Sequence, residues 1–240
     1  MRASSLLLIT CLAGCQAAAE PAPRPAPRND LAAKVVALRE RMHLRYAATT
    51  GIRLAISLGD LDRAHAEART IATLDEPDVL PAWRPYVDDI RAAATQITFA
   101  KDTITAAKTM ANLGRRCAAC HAAVPSTKIV FPKVVPPRED SKLPSQMAGH
   151  EWAAGRMWEG LIGPSPTLWL DGSTALAKAP LTITAEASEP GHDLGIADDV
   201  SRVRVFATRA QKAKTLDERA QIYGELLATC AHCHFTIRDR

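Results

Sequence analysis

The chain has 240 residues, of which 47% are hydrophobic and 5% aromatic, and its formal net charge is +4. This length exceeds that of one small domain and is enough for two. Such a mild charge, without a dense patch of Lys and Arg interleaved with aromatic residues, does not favour a nucleic-acid partner.

Residues 1–14 have the composition of a signal peptide. Arg2 gives a basic start, an apolar run too short to span a membrane follows, and small residues precede Cys15. The ending Leu12-Ala13-Gly14-Cys15 resembles the lipobox of bacterial lipoproteins. This resemblance implies lipidation of Cys15 and cleavage before it, and Gln16 resembles the pattern directed to the outer membrane. An ordinary leader cleaved nearby is the alternative.

Two proline-rich stretches divide the rest of the sequence. Residues 15–28 predict an extended, solvated tether, because proline recurs at every second or third position in most of this stretch. Residues 124–144, which contain Val134-Val135-Pro136-Pro137, predict a linker. We therefore expect one folded domain at residues 29–123 and a second at residues 145–240.

Apolar periodicity and capping residues predict four helices in each domain. In the first domain they are expected at about 31–58, 60–74 and 81–100, and from a cap at Asp102 through the first cysteine pair. In the second they are expected from a cap at Ser145 to Ile162, at about 166–178, from Asp198 or Asp199 to about 214, and onward from a capping box at Thr215. The predicted fold is therefore all-α, with two tandem short four-helix bundles.

The last predicted helix of each domain carries the same kind of motif. The two copies are Cys117-Ala118-Ala119-Cys120-His121 and Cys230-Ala231-His232-Cys233-His234. The spacing C-x-x-C-H is that of c-type haem attachment, in which two thiols bind the haem and the histidine binds its iron. We predict two covalently bound haem c groups, held by Cys117, Cys120, Cys230 and Cys233, with His121 and His234 as proximal ligands. A zinc site built from both C-x-x-C pairs is the alternative, and it would need two distant helices to converge.

The two halves of the sequence are similar enough to indicate an internal duplication. The last helices match at an offset of 113 residues, which pairs Cys117 with Cys230. The first helices match less clearly, at an offset near 107 that would pair His43 with His150. The halves are therefore expected to be related but of unequal length.

A four-helix domain with C-x-x-C-H near its C-terminal end resembles the class II c-type cytochromes, the cytochrome c prime-like bundles. The chain from about residue 30 to residue 240 is also similar to a group of two-haem bacterial lipoproteins. This similarity rests on Met147-Ala148-Gly149-His150, on Met157-Trp158-Glu159-Gly160-Leu161-Ile162 and on the second haem motif. The first helix and the final motif lie closer together here than in the usual bundle, so the helices must be short.

The class II resemblance implies that the distal iron ligand comes from the first helix of each domain. His150 is the candidate in the second domain, because an imidazole within an apolar stripe is costly to bury without a partner. A core histidine bonded to a carbonyl is the alternative. In the first domain the candidates are His43, which matches His150, and Met42, which lies on the apolar face.

The distal ligand decides the predicted function. A second strong ligand suits electron transfer, whereas an empty position leaves iron open to small molecules. We predict a dihaem cytochrome c, not an enzyme, that carries single electrons in the periplasm, with other redox proteins as partners and a lipid anchor as its only membrane contact. The alternatives are a haem-based gas-binding protein and a dihaem peroxidase-like enzyme with one open iron. No catalytic arrangement of His, Glu or Arg is evident in the sequence near either motif.

Overall fold

The computed structural model describes residues 28–77, 79–124, 129–138, 140–180 and 196–238. The predicted signal peptide, nearly all of the tether and the lipidation site Cys15 lie outside these residues. Residues 181–195, which lie between the second and third predicted helices of the second domain, lie outside them as well.

In these ranges the chain forms eight α-helices and no strand, which confirms the predicted all-α class. The helices of the first half are α1 (Arg28–Ser57), α2 (Leu61–Ala72), α3 (Arg84–Thr98) and α4 (Thr103–Ala123). Those of the second half are α5 (Leu143–Ile162), α6 (Pro166–Lys178), α7 (Ile196–Lys212) and α8 (Leu216–Arg238). None of these helices combines the length and the apolar character that crossing a lipid bilayer requires.

Short polar side chains fix where several helices begin. Asp60, Asp102 and Thr215 each accept a hydrogen bond from the backbone N–H three residues further on, at 3.0, 2.6 and 3.1 Å. Each bond satisfies a donor that has no partner inside the helix. The cap predicted at Ser145 is wrong, because the N-cap of α5 is Lys142, three residues earlier, and a proline lies in the first turn of the helix. Ser145 donates instead to the carbonyl of Arg138, at 2.8 Å.

The helices pack in chain order within each half. Each helix contacts the next one, α1 also contacts α4, and α5 also contacts α8. Contacts between the halves join α4 to α8, α4 to α5 and α1 to α8, and one cluster of buried residues runs through both halves. The two groups of four helices therefore share a single hydrophobic core.

Small residues allow α4 and α8 to lie close together. A Cβ atom added at Gly224 would lie 3.2 Å from the Cβ of Ala111 and 3.4 Å from the carbonyl oxygen of Ala107. Ala111 and Gly224 are 113 residues apart, which is also the separation of the caps Asp102 and Thr215. Equivalent residues thus meet each other, as in a two-fold symmetric contact.

The first two helices of each half match at a different offset. Asp60 caps α2 and Ser165 caps α6, and these residues are 105 positions apart. Ser57 and Ile162, the last residues of α1 and α5, are also 105 positions apart. The buried positions of α2 and α6 follow the same offset: Ala64, Ala68 and Ile71 against Trp169, Ser173 and Leu176. The offset near 107 expected for the first helices is therefore wrong by two residues.

The segment predicted as a linker packs on the helices along its described part. The ring of Phe131 lies 5.7 Å from the ring of Tyr46 in α1, measured between centroids. The indole of Trp152 in α5 donates to the carbonyl of Val134 at 3.0 Å. Residues 129–138 therefore touch the first helix of each half, and the predicted domain boundaries stay a prediction.

Gly160 in α5 offers a test of how tightly α5 packs on α6. A Cβ atom at this position would lie 2.3 Å from the backbone nitrogen of Trp169 and 2.7 Å from its Cα, so the α6 backbone would have to move. We expect Gly160→Ala to lower the free energy of unfolding by about 1–3 kcal/mol. Gly149 in the same helix has no atom within 4 Å of an added Cβ, and Gly149→Ala is expected to raise that free energy by up to about 1 kcal/mol. Urea unfolding followed by circular dichroism compares the two, and equal effects would contradict this packing.

Candidate functional site

The second C-x-x-C-H motif lies on one wall of a cavity of about 290 Å³. Cys230, Cys233 and His234 line it from α8, and His150 lines it from α5. Apolar side chains complete much of the remaining wall, among them Leu54 of α1, Leu58 just after α1, Val203 of α7 and Leu226 of α8. The cavity is near the lower end of the volume range of small-molecule sites, which is about 300–1,000 Å³. The structure thus brings together all four residues predicted to hold the second haem.

His150 has a buried ring nitrogen without a partner. Its Nε2 atom makes no hydrogen bond to any part of the chain that the structure describes. Burial lowers the pKa of this imidazole, a hydrogen bond to the Pro180 backbone acts in the opposite direction, and the charges of Arg204 and His234 lower the pKa further. A neutral imidazole with a free nitrogen is the form that binds metals. An unpaired, buried imidazole nitrogen is compatible with the predicted role of His150 as a metal ligand.

The two motif histidines are oriented in the same way. His234 donates from Nδ1 to the carbonyl oxygen of Ser57 at 2.6 Å, and His121 donates from Nδ1 to that of Ile162 at 2.7 Å. A nitrogen that donates to a carbonyl carries the proton, so Nε2 of each ring keeps its lone pair for a metal. In both cases the acceptor ends the first helix of the other half. Each half therefore orients the predicted iron ligand of the other half.

None of the four motif thiols forms a disulfide bond. Burial raises the pKa of Cys117 and of Cys230 to about 12 and that of Cys233 to about 11, and it also raises the pKa of Cys120. Among the described residues, no three His, Cys, Asp or Glu side chains come together as a metal-ion site. The two C-x-x-C pairs therefore do not converge as the zinc alternative requires.

A buried arginine accompanies the first motif. Arg45 of α1 is 6% exposed and forms an ion pair with Glu76, which follows α2 and is 2% exposed. Its charge opposes the rise in pKa that burial causes at Cys117 and Cys120. At His121 burial lowers the pKa, the bond to the Ile162 carbonyl acts against this, and the Arg45 charge lowers the pKa further. The charge of Arg45 thus acts on all three residues of this motif that are predicted to hold a haem.

The two residues predicted as distal ligands of the first domain are placed differently from His150. The side chain of His43 is exposed, and that of Met42 is half-buried with its sulfur 3.9 Å from Nη1 of Arg45. The offset of 105 residues pairs Arg45, not His43, with His150. The helix caps Asp60 and Ser165 carry this offset and could have revealed the pairing from the sequence.

A second buried arginine lies on the wall of the cavity. Arg53 of α1 is 4% exposed and pairs with Glu151 of α5, with Nη1 and Oε2 3.2 Å apart. Burial acts to lower the pKa of Arg53. Charge interactions and hydrogen bonds with Tyr223 and Glu151 outweigh burial, so the pKa is raised. The first half therefore contributes a permanent positive charge to the site of the second half.

The chain matches no protein-family model, no curated protein and no solved structure.

Proposed function

We propose that the protein is a dihaem c-type cytochrome that carries single electrons, with its helices arranged as two tandem four-helix bundles. The observation that carries this proposal is the cavity that Cys230, Cys233 and His234 line together with His150, whose buried Nε2 atom has no partner among the described residues. The two thiols would hold the second haem through thioethers, and the two imidazoles would bind its iron. When bound, a haem supplies an iron that gains and loses one electron reversibly.

The surrounding residues favour a ligand set that stays the same in both oxidation states. His234 is held by the carbonyl of Ser57, and His150 is held by a hydrogen bond to Pro180. The two imidazoles lie on separate helices, α8 and α5, which contact each other. In the first half, Cys117 and Cys120 would hold the other haem, and His121 would bind its iron.

The cellular setting is proposed from the leader and the motifs. A lipidated Cys15 would anchor the mature chain in the periplasm, at the outer membrane, with the proline-rich tether between the anchor and the helices. Other redox proteins are the proposed partners.

A redox titration of the purified protein, followed by visible spectroscopy, tests the proposed function. Two reversible one-electron transitions, with low-spin iron in at least the second haem, would support electron transfer. Persistent high-spin iron in both haems, in both oxidation states, would contradict it.

Replacing His150 by alanine is expected to convert one haem from low spin to high spin. The substitution removes the imidazole that lines the same cavity as the second motif, so one more carbon monoxide molecule should bind per reduced chain than in the natural protein. His43→Ala is the matched control and should change neither property, because that side chain is exposed. Optical spectra and a carbon monoxide titration measure both, and an unchanged spin state in the His150 variant would rule out this ligand.

A further inference from the structure

The two candidate sites differ at one position of their first helices. The caps Asp60 and Ser165 are 105 residues apart. At this offset, His150 of α5 corresponds to Arg45 of α1. His150 lines its cavity, and its buried Nε2 atom has no hydrogen-bond partner among the described residues. The equivalent residue in the first half, Arg45, carries a guanidinium group instead of an imidazole.

Arg45 cannot replace an imidazole as an iron ligand. A guanidinium has five N–H donors, has no lone pair to offer as an acceptor, and stays protonated in proteins. His43 is exposed, and the half-buried sulfur of Met42 lies beside the Arg45 guanidinium. The residue that would complete the ligand set in the second site thus supplies only donors and positive charge in the first.

Arg45 is also held firmly and keeps an unused donor. Its side chain is 7% exposed and that of its partner Glu76 is 1% exposed. Nε of Arg45 and Oε2 of Glu76 are both buried, and neither has a hydrogen-bond partner among the described residues. A buried donor without a partner is unfavourable, and a charged donor forms strong bonds to a suitable acceptor.

We infer that the first haem site binds a small exogenous iron ligand that accepts a hydrogen bond from Arg45. In the second site the imidazole of His150 takes that position on the iron. The inference rests on the proposed function, since it requires both haems. The ligand class is that of small oxygen- or nitrogen-based anions, for which azide is the probe. Carbon monoxide, which is a weak acceptor, probes only whether the iron is open.

The natural protein provides the first test without any substitution. Haem content is measured first, and a chain without two covalent haems would overturn the proposed function itself. With two haems present, we expect one azide to bind per oxidised chain and one carbon monoxide per reduced chain. Two haems that bind neither probe would overturn the inference and leave the proposed function standing.

Substitutions of Arg45 then assign the ligand contact. Arg45→Leu is expected to weaken azide binding about tenfold or more while the affinity for carbon monoxide changes little. Arg45→His is expected to supply the missing imidazole, abolish binding of both probes and make both haems low-spin. Equal azide affinities of the natural protein and the leucine variant would overturn the inference.

Met42→Leu tests the one remaining side chain that could close the first site. We expect this variant to bind the same number of azide and carbon monoxide molecules as the natural protein. Ligand binding that is absent in the natural protein and gained in Met42→Leu would show a thioether ligand and overturn the inference.

Discussion

Replacing Cys230 and Cys233 together by alanine is expected to remove one of two haem groups and leave the other attached. Each C-x-x-C pair lies on its own helix, and the two pairs do not form one metal site in the described residues. Haem absorbance per chain should therefore fall by about half, since each proposed haem would be attached independently through its own pair of thioethers. Absorption spectroscopy at known protein concentration, together with the intact mass, measures the loss.

Cys117→Ala with Cys120→Ala is the matched control, because it should remove the other haem. The two double variants are expected to differ in what remains. The Cys230 and Cys233 variant should keep the azide-binding haem, and the Cys117 and Cys120 variant should keep the low-spin haem that depends on His150. Loss of both haems from either variant, or of neither, would contradict independent attachment by the two motifs.

Replacing Glu76 by leucine is expected to lower the free energy of unfolding by about 3–5 kcal/mol, the effect of removing one partner of a buried ion pair. The side chains of Arg45 and Glu76 are 7% and 1% exposed, so the remaining guanidinium would be buried without a counter-charge. Chemical unfolding of the haem-loaded protein gives the free energy for the variant and for the natural chain.

Two controls separate the effect of burying a charge from the effect of forming an ion pair. The pair between Arg116 and Asp89 is 39% and 55% exposed, and Asp89→Ala should lower the free energy of unfolding by no more than about 1 kcal/mol. Combining Arg45→Met with Glu76→Leu removes both charges and should restore most of the lost stability. A Glu76→Leu effect no larger than that of Asp89→Ala would contradict a buried pair.

Helix positions were largely predictable because local signals determine them. Asp102 and the Thr215 capping box begin α4 and α8 as predicted, since these caps act through bonds to the next turn. Ser145 has the chemistry of a cap, but Pro144 was already suited to the first turn, so the helix begins earlier. The cross-half contacts could not be predicted, because a carbonyl acceptor such as that of Ser57 leaves no signature in the sequence.

The second site was more predictable than the first for a physical reason. His150 interrupts an apolar stripe, and the structure places it at the cavity that contains the second motif. Arg45 gives no comparable signal, because arginine is usually exposed and its partner Glu76 lies 31 residues away in a connection between helices. Matching the halves by their histidines selected His43, whereas matching them by the caps Asp60 and Ser165 selects Arg45.

The mass and Soret absorbance of the intact mature protein, made in a host that attaches haem c, test the central claim most directly. Two haem groups bound through Cys117, Cys120, Cys230 and Cys233 predict a mass above that of the polypeptide by two haems and a strong Soret band. A mass equal to that of the bare polypeptide, with no Soret band, would contradict the claim.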